Sequence, residues 1–382
     1  MSSKTKVLFL LESPCCGGAE NAVVNIANGM SADKYDVTVA FLFKKSVYGA
    51  KYPFEICGAF HNFIKVRHLF DNRSKTISFL VNYFLSHYPS LVYHLFFRDI
   101  YNIVIAFNEG LPTNVVSSVS IRGRKKVAWL HTLTELSMKG KSKEDLSFIQ
   151  DKYQRFDKIV AVSYSVADSF SGMFPALADK VRVAYIPVNV AAIRSKASSE
   201  VSIQKPSRKL LVSVGRITSA KAYDRYLKVI RSLKQESIDL SVWIIGGGDR
   251  SDLEHFCEEN LLDNVSFLGN QSNPYPYMKL ADWIVLPSLV EGLSIVILEA
   301  LSLEKAVIAT DCGGPREILG DSEYGLLVGN DEESIYRGLI RALTETTLKE
   351  EYESRAACRA KVFDFSETIQ VIERVFDNLQ NE

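Results

Sequence analysis

The sequence predicts an α/β protein of two successive domains, each built on a parallel sheet, with the two sheets facing each other across a cleft. Short apolar runs alternate with longer helical patterns along the chain, which is typical of parallel sheets covered by helices on both faces. A stretch rich in Ser and Lys interrupts this alternation at residues 188 to 208, after which the alternation restarts. A length of 382 residues fits two domains of ordinary size.

The first domain is expected to span residues 1 to 187. Its opening run KVLFLLE leads into a turn containing Gly17 and Gly18 and then into an amphipathic stretch, the pattern of a strand, a tight turn and a helix. Four further runs of strand type follow: YDVTVAFLF (35 to 43), NIVIAF (102 to 107), KKVAWLH (125 to 131) and KIVAVS (158 to 163).

The second domain is expected to span residues 209 to 362, with residues 188 to 208 as the connection between the two domains. Its strand-type runs are KLLVSVG (209 to 215), SVWIIGGG (241 to 248), VSFLG (265 to 269), DWIVLPS (282 to 288), KAVIAT (305 to 310) and GLLV (325 to 328). The final segment, 363 to 382, carries a helical apolar stripe, and we expect it to pack back toward the N-terminal domain. The stripe consists of Ile369, Ile372, Val375, Phe376 and Leu379.

The overall composition excludes a nucleic-acid-binding role based on net charge. Lys plus Arg (45) balance Asp plus Glu (45), so an anionic partner must be held locally. The six cysteines lack the spacing of a metal or redox motif, and the chain does not open with a signal peptide. These features predict a cytoplasmic protein with reduced thiols.

The most apolar stretch, residues 77 to 97, is interrupted by polar residues and by Pro89. It therefore falls short of the roughly 18 uninterrupted apolar residues of a membrane span. Two amphipathic helices in a core are favoured over a role at a membrane surface. The basic run at residues 122 to 126 leaves the same choice open, between a solvated loop and a peripheral contact with anionic lipid headgroups.

The segment EGLSIVILEA carries the first candidate binding residues. The strand 282 to 288 leads through a loop into a helix that is expected to begin near Ser294, a good N-cap residue. Backbone N–H groups around Leu293, Ser294 and Ile295 would then point at a phosphate group. Glu291 lies on the loop and Glu299 about one and a half turns inside the helix, so each carboxylate can meet a different part of one elongated ligand.

Two cations and a glycine run stand at the ends of neighbouring strands. Arg216 follows the strand 209 to 215, and Lys221 lies five residues further on, near the start of a helix. A guanidinium and an ammonium group in this place suit a diphosphate. Gly246 and Gly247 follow the next strand and permit close approach of the backbone to a ligand.

These motifs resemble those of family 4 of the nucleotide-sugar-dependent retaining glycosyltransferases, over nearly the whole chain. The resemblance rests on EGLSIVILEA with its E-x7-E spacing, on GRITSAKAYD, IIGGGD and FLGNQ, and on GGAENAVVNIA near the N-terminus. It implies the GT-B fold, with two Rossmann-like domains. The C-terminal domain would hold mainly the donor and the N-terminal domain mainly the acceptor.

Roles for the residues of the second domain are implied by this resemblance. Arg216 and Lys221 match the positions that bind the donor diphosphate and stabilise it as a leaving group. Glu291 would lie near the hydroxyls of the transferred sugar, and Glu299 at the ribose hydroxyls. The usual Lys-Gly-x-Asp order is replaced here by Lys221-Ala222-Tyr223-Asp224, so the glycine-dependent turn of the family is altered.

In the first domain the resemblance implies that Gly18, next to Gly17, approaches the donor phosphates. His131 matches a histidine that faces the donor sugar from the acceptor side, and the alternative of a buried core histidine stays open. No Asp-x-Asp motif stands in a suitable strand-end loop. We therefore expect a metal-independent enzyme without a cofactor, in which Arg216 and Lys221 supply the positive charge.

The implied function is retaining transfer of a hexosyl or N-acetylhexosaminyl group from a nucleoside diphosphate donor to an acceptor hydroxyl. A UDP-sugar donor is expected, because the chain resembles enzymes of bacterial capsule, O-antigen and exopolysaccharide synthesis. The acceptor would be a lipid-linked saccharide at the inner face of the plasma membrane. Two alternatives stay open: a non-hydrolysing UDP-sugar epimerase, and a catalytically silent GT-B-like partner or carbohydrate-binding subunit.

Overall fold

The computed structural model describes residues 4–14, 17–44, 60–71, 75–97, 101–120, 123–201 and 203–381. The chain divides into two compact units: Met1–Pro187 together with Phe365–Glu382, and Val188–Asp364. Each unit contains a parallel sheet with helices packed on it. The predicted α/β class with two parallel-sheet domains is confirmed.

The first unit contains, in its described part, a seven-stranded parallel sheet in the order β3-β2-β1-β4-β5-β6-β7. The strand order reverses between β1 and β4, so the loops that follow these two strands diverge and open a crevice at their carboxyl ends. The strands are β1 (Thr5–Leu11), β2 (Tyr35–Phe43), β3 (Lys65–Phe70), β4 (Ile103–Ala106), β5 (Lys125–Leu130), β6 (Lys158–Ala161) and β7 (Val181–Val183).

Helices cover the first sheet, and the inner strands are buried along nearly their whole length, as a doubly covered parallel sheet requires. Phe9, Phe41, Phe107 and Trp129 are among its fully buried large side chains. The helices of this part of the chain are α1 (Gly18–Gly29), α2 (Lys75–His87), α3 (Pro89–Phe97), α4 (Leu111–Ser118), α5 (Thr134–Ser137), α6 (Lys143–Gln154) and α7 (Tyr164–Met173).

The second unit contains a six-stranded parallel sheet in the order β10-β9-β8-β11-β12-β13, as far as the structure describes it. Its order reverses between β8 and β11, which places the crevice where the candidate donor residues were predicted. The strands are β8 (Lys209–Val214), β9 (Leu240–Ile245), β10 (Val265–Gly269), β11 (Trp283–Leu286), β12 (Val307–Thr310) and β13 (Leu326–Val328).

The helices of the second unit show why its sequence folds this way. On α9, for example, Tyr226, Leu227, Ile230 and Leu233 recur at helical spacing and are all fully buried in the core of the unit. The helices are α8 (Val190–Lys196), α9 (Tyr223–Gln235), α10 (Ser251–Glu259), α11 (Tyr275–Leu280), α12 (Ile295–Ser302), α13 (Gly314–Leu319), α14 (Glu332–Thr344) and α15 (Leu348–Lys361).

The segment 188 to 208, expected as a connection, contributes helix α8 to the second unit. Ile193 is buried, and Arg194 donates from Nε to the Ser302 carbonyl (2.8 Å) and from Nη2 to Glu304 Oε1 (2.7 Å). These contacts fasten α8 to the C-terminal end of α12 and to the residues that follow it. The segment therefore packs as part of the unit.

The last helix, α16 (Phe365–Asn381), belongs to the first unit. Phe376 is fully buried, with its ring centroid 6.4 Å from that of Phe9 and 6.3 Å from that of Tyr35. Asp377 Oδ1 accepts a hydrogen bond from the Tyr35 hydroxyl (2.6 Å), and Glu373 Oε1 accepts one from the Ser31 N–H (2.8 Å). The C-terminal helix thus covers the edge of the core next to β1 and β2.

Phe376→Ala is expected to destabilise the first unit by about 3–5 kcal/mol, because it removes a buried ring and leaves a cavity. Hydrogen exchange resolved by peptide should show faster exchange in β1 and β2 and unchanged exchange in β8 and β9. Asn378→Ala, an exposed position on the same helix, is the matched control. Equal acceleration in both units, or none, would contradict the assignment of α16 to the first core.

Candidate functional site

Two of the predicted site residues meet at the carboxyl ends of β8 and β11. Lys221 Nζ donates to Glu291 Oε1 at 2.5 Å, and Ser288 Oγ donates to the same oxygen at 2.7 Å. The Glu291 side chain is 11% exposed and that of Lys221 is 21% exposed. The arrangement is a largely buried ion pair with an added hydroxyl, placed at the switch point of the sheet where α/β proteins bind ligands.

A tight turn positions Lys221. Residues Ser219–Lys221 form a single 3-10 turn, and Ala222 then adopts the left-handed conformation (φ 50°, ψ 42°) before α9 begins. This conformation costs a non-glycine residue about 1–2 kcal/mol. Ala222, which stands at the glycine position of the resembled motif, thus adopts a backbone conformation that favours glycine. The N–H of Leu289 donates to the Ala220 carbonyl (2.8 Å), which ties the turn to the loop after β11.

The backbone of Glu291 is held from the other side by the turn after β12. Its N–H donates to the Cys312 carbonyl (3.1 Å), and its carbonyl accepts from the Gly314 N–H (3.0 Å). A Cβ atom on Gly314 would lie 2.5 Å from the Gly292 carbonyl oxygen, so only glycine permits this approach. The loop that carries Glu291 is therefore hydrogen-bonded to the turn before α9 on one side and to the turn after β12 on the other.

Arg225, which the sequence reasoning missed, lies beneath this loop. Its guanidinium group donates to the carbonyls of Pro287 (2.6 Å from Nη2) and Ser288 (3.0 Å), and to Oδ1 (2.6 Å) and the carbonyl (3.0 Å) of Asn330. Burial lowers the pKa of this guanidinium from its ordinary value. Helix α9 also carries Arg231, and Arg225 does not share the spacing of Tyr226, Ile230 and Leu233, so no sequence pattern distinguished it. Its charge is held by carbonyl dipoles at the end of β11, next to the Lys221–Glu291 pair.

Arg216 and the glycine run share the neighbouring strand ends. Arg216 directly follows Gly215 beyond β8 and is exposed. Gly246 has φ 153°, and a Cβ atom on it would lie 1.9 Å from the Gly215 carbonyl oxygen. The Ile217 N–H also donates to the Gly247 carbonyl (2.8 Å). Within the described residues, the absence of side chains at Gly246 and Gly247 therefore lets this loop pack closely against the backbone of residues 215–217, which carries Arg216.

Helix α12 begins at Ile295 with Ser294 as its N-cap residue, as predicted from the sequence. Ser294 is 2% exposed, and its hydroxyl oxygen has no hydrogen-bond partner within the described residues. Leu293, just before it, is also buried. The first N–H groups of a helix lack intrahelical acceptors, so a buried hydroxyl and backbone donors gather at this end of α12.

Glu299 lies further along α12 with different neighbours from Glu291. The Tyr275 hydroxyl donates to Glu299 Oε1 (2.9 Å). Burial raises the pKa of Glu299 to about 7, while the Tyr275 hydrogen bond and the charge of Lys196 act in the opposite direction. Burial also raises the pKa of Tyr275. The two glutamates of the E-x7-E motif thus occupy chemically distinct surroundings, and Tyr275 was not found from the sequence.

In the first unit, Gly17 and Gly18 lie beyond the carboxyl end of β1. Gly17 is the buried N-cap residue of α1, with extended backbone (φ −116°, ψ 174°), and Gly18 is the exposed first residue of the helix. Two acidic residues, Glu12 and Glu20, lie close to this turn. Burial, with a smaller contribution from Glu20, raises the pKa of Glu12 from its ordinary value.

His131 follows β5 in the first unit. Its Nε2 lies 2.9 Å from the Phe107 carbonyl, and its ring packs edge-on against the Phe107 ring at 4.9 Å. Burial lowers the pKa of His131, which favours the neutral ring at pH 7 with Nε2–H donating to the carbonyl. Glu109, missed in the sequence, accepts from the N–H groups of His131 (2.8 Å) and Thr132 (3.1 Å) and from the Thr132 hydroxyl (3.0 Å).

Two family models match the chain. The model described as Glycosyltransferase Family 4 matches residues 16–192, and the model described as Glycosyl transferases group 1 matches residues 195–360. Between them they account for most of both units.

Relatives include two transferases of Campylobacter jejuni subsp. jejuni serotype O:2. One is N-acetylgalactosamine-N,N'-diacetylbacillosaminyl-diphospho-undecaprenol 4-alpha-N-acetylgalactosaminyltransferase, 33% identical over 56% of this chain and 58% of that protein. The other is GalNAc-alpha-(1->4)-GalNAc-alpha-(1->3)-diNAcBac-PP-undecaprenol alpha-1,4-N-acetyl-D-galactosaminyltransferase, 26% identical over 94% and 95%. An uncharacterized glycosyltransferase of Methanocaldococcus jannaschii is 28% identical over 44% of this chain and 43% of its own length. The chain thus spans about half the length of the first and third of these relatives.

Solved structures share the fold of the whole chain. HepE of Anabaena in complex with UDP and glucose superposes with a TM-score of 0.77 at 18% identity, covering 98% of this chain and 100% of that one. The apo form of the lipopolysaccharide outer core galactosyltransferase WaaB gives 0.68 at 17% identity, with the same coverage. Together with the two family models and the two parallel-sheet units, these likenesses confirm the resemblance: the chain belongs to glycosyltransferase family 4 and has the GT-B fold.

Proposed function

We propose that this protein transfers a sugar from a UDP-sugar to a hydroxyl group of a lipid-linked saccharide, with retention at the anomeric carbon and without a metal ion. The observation that carries the proposal is the Lys221–Glu291 pair at the carboxyl ends of β8 and β11, next to the N-terminus of α12. The names of both Campylobacter relatives describe transfer to diphospho-undecaprenol-linked saccharides. HepE was solved with UDP-glucose as well as with UDP and glucose.

The donor diphosphate is proposed to lie against Lys221, Arg216 and the first turn of α12. The Lys221 ammonium group has three N–H donors. One of them is used on Glu291, and the others would reach phosphate oxygens. The buried Ser294 hydroxyl and the N–H groups of Leu293 and Ile295 would bind the same group. When the sugar–phosphate bond breaks, negative charge grows on the departing UDP, and fixed positive groups lower the barrier most where that charge develops.

The sugar and the ribose are assigned to the two glutamates. Glu291 Oε1 already accepts from Lys221 and Ser288, so its second oxygen would accept from a sugar hydroxyl. Glu299, hydrogen-bonded to Tyr275, would accept from the ribose hydroxyls. Backbone close to Gly246 and Gly247 would complete the donor site through its contact with the 215–217 loop.

The acceptor is assigned to the strand ends of the first unit. Glu109 holds the 131–132 backbone through two N–H donors and the Thr132 side chain through its hydroxyl, which presents His131 and Thr132 beyond β5. His131 is proposed to face the donor sugar with a neutral ring, and the N-terminus of α1 at Gly17 and Gly18 to approach its phosphates. Because the acceptor is carried on a lipid, the protein is proposed to work in the cytoplasm in peripheral contact with the inner face of the membrane.

The direct test combines a short-chain polyprenyl-diphosphate saccharide with a panel of UDP-sugars, in the presence of EDTA. We expect sugar transfer that EDTA does not reduce, and the same anomeric configuration in donor and product by NMR. Isomerised sugar nucleotide formed without an acceptor would instead identify an epimerase. UDP binding without any turnover would point to a silent subunit.

Lys221→Ala is expected to lower kcat by about 10²–10³-fold, because it removes a cation from the developing charge of the leaving group. Glu291→Ala should also lower kcat/KM, since it removes both the partner of Lys221 and the acceptor of a sugar hydroxyl. Steady-state kinetics with the UDP-sugar measure kcat and kcat/KM for both variants. Lys228→Ala is the matched control, as this exposed lysine on α9 pairs only with Glu332 in the described structure. Undiminished transfer by both site variants would contradict the proposal that Lys221 and Glu291 bind the donor.

Donor affinity is expected to fall roughly tenfold between pH 8 and pH 6, because ribose hydroxyls donate to the ionised form of Glu299 and its pKa is about 7. Calorimetric titration with the UDP-sugar used by the enzyme measures this, since sugar-linked phosphates do not titrate in that range. Glu299→Gln should remove the pH dependence. Tyr275→Phe should move it to higher pH, because the phenol stabilises the carboxylate. A pH-independent wild-type affinity would exclude Glu299 from the ribose site.

A further inference from the structure

Arg225 and Asn330 hold successive carbonyl groups of the loop that follows β11. Arg225 lies in the first turn of α9 and donates to the carbonyls of Pro287 (2.6 Å from Nη2, 3.1 Å from Nε) and Ser288 (3.0 Å). Asn330, which follows β13, donates from Nδ2 to the Leu289 carbonyl (3.0 Å). The Oδ1 atom (2.6 Å) and the carbonyl (3.0 Å) of Asn330 in turn accept from Arg225. One connected group of hydrogen bonds therefore fixes the backbone of residues 287 to 289.

This group of hydrogen bonds reaches Glu291 through Ser288. The Ser288 carbonyl accepts from Arg225 Nη2 (3.0 Å) and from Thr310 Oγ1 (2.5 Å), while the Ser288 hydroxyl donates to Glu291 Oε1 (2.7 Å). Ser288 is 1% exposed, so water cannot replace these partners. Because the carbonyl is held, the backbone from which the hydroxyl projects is held as well. The hydroxyl then restrains the same carboxylate oxygen that Lys221 contacts.

Helix α9 connects Arg225 to the other partner of Glu291. Lys221 ends the 3-10 turn before α9, and Ala222 is the N-cap residue of the helix. The Tyr226 N–H donates to the Ala222 carbonyl (3.2 Å), so the turn continues into the helix. The start of α9 thus presents both the ammonium group and the guanidinium group that holds the loop. The position of Lys221 relative to Glu291 is therefore set by one rigid element.

The Arg225 guanidinium has only neutral hydrogen-bond partners. All of its hydrogen bonds go to carbonyl or amide oxygens, and no carboxylate in the described part of the chain forms an ion pair with it. The residue is 8% exposed, and burying a cation without a paired carboxylate is costly. Packing alone does not require a charged group here. An arginine does supply a planar fork of donors that binds several carbonyl groups at once.

We propose that Arg225 and Asn330 are positioning residues for Glu291. By fixing the loop after β11, they hold the second oxygen of the Glu291 carboxylate in place for a hydroxyl of the donor sugar, without touching the donor themselves. This inference rests on the proposed function, in which Glu291 binds the sugar and Lys221 the diphosphate. Loosening the loop should therefore weaken recognition of the sugar and leave binding of the diphosphate intact.

Asn330→Ala is the first test, because Asn330 is exposed and its loss leaves Arg225 bound to the carbonyls of Pro287 and Ser288. With the UDP-sugar of the panel that is transferred fastest, we expect kcat to fall about tenfold, since a small displacement of an orienting group has large effects on rate. Calorimetric titration should show weaker binding of the same UDP-sugar. The affinity for UDP alone should remain that of the wild type.

Two further variants separate positioning from general support of the site. Arg225→Lys keeps the positive charge but loses the planar fork, so kcat should fall as in Asn330→Ala. In a Glu291→Ala background, adding Asn330→Ala should cause no further loss of kcat, because the effect passes through that carboxylate.

Asn260→Ala is the matched control. Asn260 accepts from Arg231 of the same helix α9 (3.4 Å to Oδ1) and donates from Nδ2 to the Phe256 carbonyl (2.8 Å). It is the C-cap residue of α10 and precedes β10, so it lies at the edge of the sheet opposite the carboxyl ends of the strands. Its removal should leave kcat and both affinities unchanged.

A measurement without ligand completes the test. Amide hydrogen exchange of residues 288 to 292 should be faster in Asn330→Ala than in the wild type or in Asn260→Ala. Unchanged exchange would overturn the proposal. So would wild-type kcat in Arg225→Lys, an additive loss in the double variant, or equal weakening of UDP and UDP-sugar binding. Absence of transfer by the wild type would contradict the proposed function alone, because the exchange measurement needs no donor.

Discussion

The Lys221–Glu291 ion pair is the interaction on which the rest of the site depends. Two partly buried charges are costly unless each is further hydrogen-bonded. Here Ser288 supplies a hydroxyl to the carboxylate, and the backbone of Glu291 is braced by the turn after β12. The same pair joins the loops after β8 and β11 at the switch point of the second sheet. An ammonium group and a carboxylate placed there also suit a phosphate group and a sugar hydroxyl.

Three basic side chains lie at this end of the second sheet, and a different local structure positions each of them. Lys221 is held by a turn that forces Ala222 into the left-handed region, and Arg216 by a loop that packs on Gly246. Arg225 is buried under carbonyl oxygens that precede the Glu291 loop. Holding these basic groups in fixed positions costs folding stability. Fixed positive groups of this kind lower the barrier for the departure of an anionic leaving group.

The two glutamates of one motif differ because their surroundings differ. Glu291 contacts an ammonium group, whereas Glu299 has a phenol as its hydrogen-bond partner and a pKa raised by burial to about 7. The motif thus presents an ion-paired carboxylate before the N-terminus of α12 and, within the helix, a carboxylate whose pKa burial raises to about 7. In the first unit, His131, whose pKa is lowered by burial, and the hydrogen bonds of Glu109 lie together at the end of β5.

The sequence by itself predicted the two parallel sheets, the E-x7-E residues, Arg216, Lys221 and Ser294 as the N-cap residue of α12, because strand periodicity, helix caps and motif spacing are local properties. Only the tertiary structure decided which of these groups meet. Tyr275, Glu109 and Arg225 stand far in sequence from their partners, so their roles appear only once the strands are side by side. Ser288 lies three residues before Glu291, but its contact with the carboxylate depends on how the loop after β11 folds. Segment 188 to 208 reads locally as a linker, yet α8 packs on α12. The exposure of Phe79 on α2 and of Leu91 on α3 likewise needed the tertiary structure, since periodicity alone cannot tell a helix buried on both sides from one buried on a single side.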